Sequence, residues 1–181
     1  MEDKQLVDKV ISGDDGALRL LIGKFERLVG HMVARVVKDD MDREELCQDV
    51  FIKIYEKLGT FNFDSKLSTW VATIAYRMAV NFAKKKKLDQ TDFDSVEFQI
   101  PDDSRTYEQE DMSIFVSEMI EQLPTNYKLV LTLFYIEGFS YPEIMEISGM
   151  PEGTVKNYLH RAKNKLKVII EEQARKEVAL I

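Results

Sequence analysis

Residues 140–163 read SYPEIMEISGMPEGTVKNYLHRAK, and this stretch decides the class of fold. Its opening serine stands three residues before a glutamate, with a proline between them, which is the pattern of a helix start with a capping box. Gly149 and the proline two residues after it predict a tight turn, and a second helix follows from Glu152. A short helix, a three-residue turn and a second helix together predict a helix-turn-helix.

The second helix of this pair separates apolar from basic side chains. Val155 and Leu159 fall on its inner side, and residues 152–167 carry five basic groups against one acidic group. The outer side presents, at steps of about three and four, Lys156, Asn157, His160, Lys163 and Lys167. Such side chains hold phosphates or read base edges in a major groove, so the segment predicts DNA binding. A helical hairpin with a solvated basic face is the alternative.

Apolar residues upstream recur at helical rather than alternating spacing, which predicts an all-α fold. A short helix over Asp3–Ile11 precedes three stripes, within residues 18–36, 46–58 and 70–82, and these helices form a bundle. The caps expected at the three helix starts are, in chain order, Asp14 or Asp15, then the pair Asp42 and Glu45, then Ser68.

The net charge of −7 is unevenly distributed. Residues 1–87 carry net +2 and residues 112–181 carry net −1, whereas residues 88–111 hold nine acidic groups against one basic group. Helical periodicity fails in that acidic segment, and Pro101 breaks any helix there. The sequence therefore predicts two small helical domains, an N-terminal bundle over 1–87 and a C-terminal helix-turn-helix over 112–181, joined by an acidic flexible linker over 88–111.

Composition excludes several classes of protein. Cys47 is the one cysteine, so the chain has no disulfide framework and no multi-cysteine zinc site, and the sequence shows no catalytic constellation and no cofactor motif. The longest apolar run, residues 129–136, is too short to span a bilayer, and no signal peptide is visible. We expect a cytoplasmic protein that is not an enzyme, binds no metal or cofactor and does not insert into a membrane.

The helix over 42–58 has an acidic side opposite its apolar stripe. Steps of three and four align, on that side, Glu45, Gln48, Asp49, Ile52 and Glu56. An isoleucine inside an acidic stripe suits contact with another protein. An ordinary solvated face with one apolar residue is the alternative reading of this helix.

The next helix carries a basic side. Arg77, Asn81 and Lys84 share a face with Thr73, and a run of three lysines, 85–87, follows. Phe61 and Phe63 lie in the loop just before this helix. Loop aromatics beside basic residues can stack unpaired bases, but the two rings could equally fold back onto the bundle.

Several short motifs then occur in a fixed order along nearly the whole chain. They are EELCQDVF at 44–51, FNFDSK at 61–66, STWV at 68–71 with IA at 74–75, PEGTVK at 151–156 and HRA at 160–162. This set resembles the bacterial RNA polymerase sigma factors of the extracytoplasmic function (ECF) group, within the sigma-70 family. No single motif is decisive, but the set with this spacing is specific.

The resemblance implies a transcription initiation factor without chemistry of its own. Its first domain would dock on the β′ clamp helices of core RNA polymerase through Glu45, Gln48, Asp49 and Ile52. Its −10 DNA contacts would be Phe61, Asn62, Phe63, Asp64, Ser65, Lys66, Arg77, Asn81, Lys84 and Lys85, with the loop capturing a flipped base. Its second domain would read the −35 element with Glu152, Thr154, Lys156, Asn157, His160, Arg161 and Lys163.

The resemblance also implies partners. They are core polymerase, through the β′ clamp helices and the β flap, promoter DNA, and a separate anti-sigma protein that could itself be membrane-bound. The acidic linker would thread toward the RNA exit path. In the free chain it would compete with DNA, which predicts weak promoter binding without core enzyme. The family usually has other residues at Asn81, Phe82, Asn157 and Tyr158, which leaves the base preference open.

Two other functional classes fit the residue pattern alone. A stand-alone helix-turn-helix regulator would bind duplex DNA as a dimer, without core polymerase. A helical adaptor would touch no nucleic acid, and charge reversal at Lys156 and Arg161 would leave its activity intact.

Overall fold

The computed structural model describes residues 2–89 and 118–178, and every regular element within these ranges is helical. The all-α prediction is therefore confirmed. Most of the expected acidic linker, from residue 90 onward, lies outside the described residues. We refer to residues 2–89 as the N-terminal block and to residues 118–178 as the C-terminal block.

The N-terminal block is a bundle of four helices. They are α1 (Asp3–Ile11), α2 (Asp15–Ala34), α3 (Asp40–Lys57) and α4 (Leu67–Asp89), with a 3₁₀ turn at Leu58–Thr60. The side chain of Asp14 caps α2 by accepting a hydrogen bond from the Ala17 backbone N–H at 3.0 Å. The cap is thus the first of the two aspartates that the sequence offered for this helix start. α2 packs against α1, α3 and α4 and buries its apolar stripe among them.

Two predicted helix starts were wrong. Asp39 caps α3, because its carboxylate accepts a hydrogen bond from the Asp42 backbone N–H at 3.0 Å. The expected capping pair of Asp42 and Glu45 does not form this cap. The helix consequently begins earlier and Asp42 lies in its first turn. Ser68 lies inside α4, which begins at Leu67. Several neighbouring aspartates could each cap α3, and tertiary packing determines which of them does so.

The C-terminal block begins, within the described chain, with helical residues 118–121. It continues with α5 (Thr125–Leu131), a π-helical turn (Thr132–Ile136), α6 (Tyr141–Ser148) and α7 (Glu152–Val178). Gly149 takes the left-handed conformation, with φ +72°, between α6 and α7. Because L residues with a Cβ are strained there, glycine permits the tight turn of the predicted helix-turn-helix.

The predicted capping box at the start of α6 is present and also reaches the other block. Glu143 accepts hydrogen bonds through Oε2 from the Ser140 N–H at 2.8 Å and the Ser140 hydroxyl at 2.6 Å. Its Oε1 atom lies 3.0 Å from Lys66 Nζ and accepts from the Thr69 hydroxyl at 3.3 Å. Burial raises the pKa of Glu143, but the hydrogen bonds from Ser140 and the Lys66 ammonium outweigh it and lower the pKa to about 2.

The two blocks share one apolar core. α4 packs against α6, and a single cluster of buried side chains runs from Leu6 and Val10 in α1 to Val155 and Leu159 in α7. α4 is lined with small side chains, because Ala72, Ala75 and Ala79 are all fully buried. Small residues let neighbouring helices approach closely, so α4 can contact α2, α3 and α6 together.

Substitution of the turn glycine tests the helix-turn-helix geometry. We expect Gly149→Ala to lower the free energy of unfolding by about 1 kcal/mol, because an added Cβ meets open space but the left-handed backbone is strained. That loss corresponds to a fall in Tm of roughly 2–4 °C for a chain of this size. Thermal unfolding followed by circular dichroism measures it.

Gly153→Ala is the matched control. Gly153 lies inside α7, where its Cβ also meets open space, so alanine there should leave Tm unchanged or raise it. Equal losses in the two variants would contradict the geometry of the turn.

The lowered pKa of Glu143 makes its contribution to stability depend on pH. The carboxylate stabilises the folded chain fully above its ordinary pKa of 4.5, and this contribution is lost as the pH falls toward about 2. With solvent screening, we expect wild type to exceed Glu143→Gln by about 2 kcal/mol at pH 6 and by progressively less below pH 4.5. Urea unfolding at several pH values measures the difference.

Glu146→Gln is the control, since Glu146 is an exposed carboxylate on the same helix. It should change the free energy of unfolding by less than about 0.5 kcal/mol at pH 6. A wild-type advantage over Glu143→Gln that stays constant from pH 6 to pH 3 would show that the charge of Glu143 is not the source of the stabilisation.

Candidate nucleic-acid and protein interfaces

The outer face of α7 is the candidate duplex-reading surface. Val155, Leu159 and Ala162 are buried, which fixes the rotation of the helix. The side chains left exposed include all but one of the predicted −35 contacts, namely Glu152, Lys156, Asn157, His160, Arg161 and Lys163. Thr154 is half-buried. A helix with polar and basic groups on its outer face can enter a major groove.

One ion pair modifies the charge of this face. Lys156 Nζ lies 2.6 Å from Glu152 Oε1, and both side chains are exposed. The hydrogen bond and the charge of Lys156 lower the pKa of Glu152, and the same bond raises the pKa of Lys156. The Lys156 ammonium also lies 5.7 Å from the centroid of the Tyr141 ring. A phosphate that approaches Lys156 therefore competes with a carboxylate one helical turn away.

The two aromatic rings of the loop before α4 differ in exposure. One is buried against the bundle and the other faces solvent, so each of the two alternatives that the sequence left open holds for one ring. Phe61 is buried and lies 5.1 Å from Trp70, between ring centroids. Phe63 is 42% exposed and lies 4.6 Å from Phe61. One ring folds onto the bundle, as does Trp70, and it supports a second ring that faces solvent.

Phe63 also has an unusual backbone. Its φ is +61°, and it is the one non-glycine residue with positive φ in the described ranges. For a bulky side chain this left-handed conformation is an outlier that the surrounding structure must hold in place. Sequence reasoning gave no signal for it, because only the fold of the loop imposes it.

The polar residues of the same loop surround Phe63. Asn62, Asp64 and Lys66 are exposed, and Ser65 is half-buried. Lys66 Nζ lies 3.0 Å from Glu143 Oε1 in the C-terminal block. The loop thus combines an exposed ring with groups that can bind a base edge or a phosphate, although its single cation, Lys66, already has a partner.

The C-terminal half of α4 presents the predicted basic side. Arg77, Asn81, Lys84 and Lys85 are all exposed. Thr73, which the helical spacing placed with them, is instead buried, and its hydroxyl donates to the Thr69 carbonyl at 2.8 Å. Contact of α4 with its neighbouring helices explains the difference.

Lys86, in the lysine run that ends α4, has a partner in α3. Its ammonium forms an ion pair with the Asp42 carboxylate, and the hydrogen bond raises the pKa of Lys86. This cation ties the end of α4 to α3, whereas Lys84 and Lys85 face solvent.

The acidic side of α3 is the candidate protein interface. The four predicted contacts, Glu45, Gln48, Asp49 and Ile52, are all exposed. Ile52 is 57% exposed, so an apolar group stands at the centre of a charged surface. A face of this kind suits burial against a partner.

Sequence analysis missed two further exposed apolar residues beside this face. Tyr55 is one of the apolar positions of the core stripe predicted within residues 46–58, but it is 51% exposed, and Ile11 at the end of α1 is 55% exposed. They border a surface groove of about 240 Å³, which Leu58 and Gly59 help to line. The three-residue step from Ile52 was the available signal, since it places Tyr55 near the same side of α3.

The described residues contain neither a metal-binding cluster nor a membrane-spanning helix. These ranges hold no cluster of three or more histidine, cysteine, aspartate or glutamate side chains that could bind a metal ion. No helix in the same ranges combines the length and apolar character needed to cross a bilayer.

Family profiles match both blocks of the chain. The profile of Sigma-70 region 2 matches residues 21–88, and that of Sigma-70 region 4 matches residues 116–166. The chain is 32% identical over 178 residues to the RNA polymerase sigma-H factor of Pseudomonas aeruginosa, with 90% of each chain covered. It is 31% identical over 175 residues to the ECF RNA polymerase sigma-E factor of Escherichia coli K12, covering 90% of this chain and 91% of that factor.

Solved structures show the same fold. CnrH, solved in complex with the cytosolic domain of CnrY, has a TM-score of 0.65 at 19% identity, with 94% of this chain and 97% of that chain covered. The sigma factor RpoE of Bartonella quintana, solved with the anti-sigma factor NepR, has a TM-score of 0.66 at 20% identity, with 84% and 96% covered. With matching profiles for both blocks and relatives that align along nine-tenths of its length, the chain belongs to the ECF group of the sigma-70 family and directs promoter-specific transcription by RNA polymerase.

Proposed function

We propose that three separate surfaces of this sigma factor divide the work of initiation. The acidic face of α3 docks on the β′ clamp helices of core polymerase. The loop 61–66 and the basic side of α4 bind the −10 element, and the outer face of α7 binds the −35 element. In this scheme residues 1–87 and 112–181 act as the two functional domains, the second of which also contacts the β flap.

The exposed ring of Phe63 is the observation that carries the −10 assignment. Opening of promoter DNA costs base pairing and stacking, and a base stacked on an aromatic ring recovers part of that free energy. Phe63 stands on the buried Phe61, so its ring is positioned before DNA arrives. Lys84 and Lys85, farther along α4, can hold the adjacent phosphates.

A separate anti-sigma protein is the regulatory partner that we propose. The Bartonella quintana neighbour was solved with a factor of that kind. The exposed apolar groups around Ile52 and Tyr55 suit a partner that covers the polymerase-binding face. The chain supplies recognition and the polymerase supplies bond formation, so we assign no catalytic residue.

Run-off transcription tests the function as a whole. Sigma-free core polymerase is combined with a promoter library, with and without the protein, and start sites are sequenced. Starts that depend on the protein and share two upstream elements are expected. Duplex binding by a dimer that gives no new starts would favour the stand-alone regulator instead.

Substitutions at Phe63 separate base stacking from stability. Phe63→Gly removes the ring and permits the positive φ, so we expect unchanged or higher Tm together with roughly 5- to 100-fold weaker formation of open promoter complexes. Phe63→Tyr keeps a ring and should retain most activity. Permanganate footprinting of unpaired thymines measures opening. Full opening by the glycine variant would contradict the proposed role of the ring.

Charge reversal tests the polymerase-binding face. We expect Glu45→Lys/Asp49→Lys to abolish co-elution with core polymerase and to lower run-off transcription more than about tenfold, because like charges then meet across the interface. Asp8→Lys/Glu26→Lys, at exposed positions on α1 and α2, makes the same charge change elsewhere. Equal losses in the two double variants would exclude the acidic face of α3 as the docking surface.

A further inference from the structure

The second turn of α7 presents two fully exposed side chains on its outer face. Val155 and Leu159 are buried, and Tyr158 is half-buried, with its ring 5.4 Å from a tyrosine ring of α5. Between positions 155 and 159 this leaves Lys156 and Asn157 exposed. The chemistry of these two side chains therefore decides what this turn can recognise in a DNA groove.

Lys156 is directed toward α6, the first helix of the helix-turn-helix. Its Nζ atom lies 2.6 Å from Glu152 Oε1 and 5.7 Å from the centroid of the Tyr141 ring, at the start of α6. That ring is in turn stacked on the ring of Phe134, at 5.3 Å between centroids. In a helix-turn-helix the first helix crosses the DNA backbone while the second lies in the groove, so a cation at this junction meets a phosphate.

Asn157 points about 100° further around the helix than Lys156. It lies within the first two turns of α7, and the N-terminal residues of a recognition helix are the ones that contact base edges. Its amide carries a carbonyl acceptor and an NH2 donor in one plane. Asn157 therefore offers a donor and an acceptor side by side, whereas the ammonium of Lys156 offers donors alone.

Adenine matches the amide of Asn157 in the major groove. The N7 atom of adenine accepts a hydrogen bond and its N6 amino group donates one, so both groups of the amide are satisfied. Guanine presents two acceptors at the same edge, cytosine presents a donor, and thymine presents an acceptor beside a methyl group. An asparagine at this place consequently distinguishes adenine from the other three bases.

We propose that Asn157 sets the base preference of the −35 element by reading one adenine through two hydrogen bonds, while Lys156 binds the neighbouring phosphate and adds affinity without specificity. This inference rests on the proposed function for the place of α7 at the promoter. It identifies the base at a position where the sequence pattern alone left the preference open.

Transcription from promoters with a randomised −35 element tests the assignment. Holoenzyme is assembled from core polymerase and the full chain, the −10 element is held constant, and the yield of transcript is compared among −35 sequences. Wild type should favour adenine at one position by roughly 5- to 100-fold over each other base. Asn157→Ala should lower the preference at that position to less than about twofold and leave the other positions unchanged.

Asn157→Asp changes the hydrogen-bonding groups without changing the shape of the side chain. A carboxylate has no N–H to donate to N7 of adenine, but it accepts from the N4 amino group of cytosine. We expect the preference at this position to move from adenine to cytosine, with a lower overall yield because the new charge repels phosphates. Asn164→Asp, at an exposed asparagine about two turns further along α7, is the matched control and should keep the adenine preference.

Lys156→Ala tests the assignment of the phosphate contact. It should weaken the binding of all −35 sequences by a similar factor and reduce the magnitude of the slope of log affinity against log salt by about 0.9. Binding of holoenzyme to labelled promoter duplex at several salt concentrations measures the slope. A changed base preference in this variant would show that Lys156 reads a base, which would overturn the proposed division between the two residues.

Replacement of one atom in the DNA separates direct reading from an effect of DNA shape. With 7-deazaadenine at the preferred position, base pairing is kept but the N7 acceptor is lost. This change should weaken promoter binding by wild-type holoenzyme about fivefold, and binding by the Asn157→Ala holoenzyme less than about twofold. Equal weakening of the two holoenzymes would contradict a hydrogen bond from Asn157.

The outcome for wild type separates this proposal from the proposed function. If wild type directs transcription without an adenine preference in the −35 element, or if Asn157→Ala keeps that preference, the assignment of Asn157 is wrong and the sigma function stands. If no chain gives new starts, wild type included, the proposed function fails and the assignment fails with it. Circular dichroism confirms that each variant is folded.

Discussion

Close packing of α4 against three other helices is the constraint on which the rest of the structure depends. Ala72, Ala75 and Ala79 leave room for α2, α3 and α6 to approach the same helix. Burial of apolar surface at about 25 cal/mol per Å² then favours this arrangement over separate helices. Because α4 carries the aromatic loop at its start and the exposed basic groups toward its end, its packing also positions both halves of the proposed −10 surface.

Local backbone strain and an ion pair between the two blocks occur together around the start of α4. Phe63 has a left-handed backbone, and Lys66, three residues later, reaches Glu143 in the other block. The left-handed backbone is not the lowest-energy choice for an isolated segment, since a glycine in place of Phe63 would relax it. Surrounding packing holds both in place, as is common for residues that act on a ligand.

Glu143 connects local and global structure through a single carboxylate. One carboxylate oxygen completes the capping box of α6. The other accepts a hydrogen bond from the Thr69 hydroxyl in α4 and lies against the ammonium of Lys66 in the preceding loop. The capping role follows from the Ser-x-x-Glu spacing and belongs to the helix alone. The interblock role depends on the approach of Lys66 from 77 residues earlier in the chain, which no local pattern encodes.

The sequence by itself determined the helices, the turn at Gly149, the basic outer face of α7 and the family. These features follow from 3.6-residue periodicity, glycine chemistry and motif order, which are local properties of the chain. It did not determine which aspartate caps α3, that Thr73 is buried, that Tyr55 is exposed, or that Phe61 and Phe63 take opposite roles. Tertiary structure decided these, because the choice between equivalent caps and faces depends on which helix packs against which, and on contacts between residues far apart in the chain.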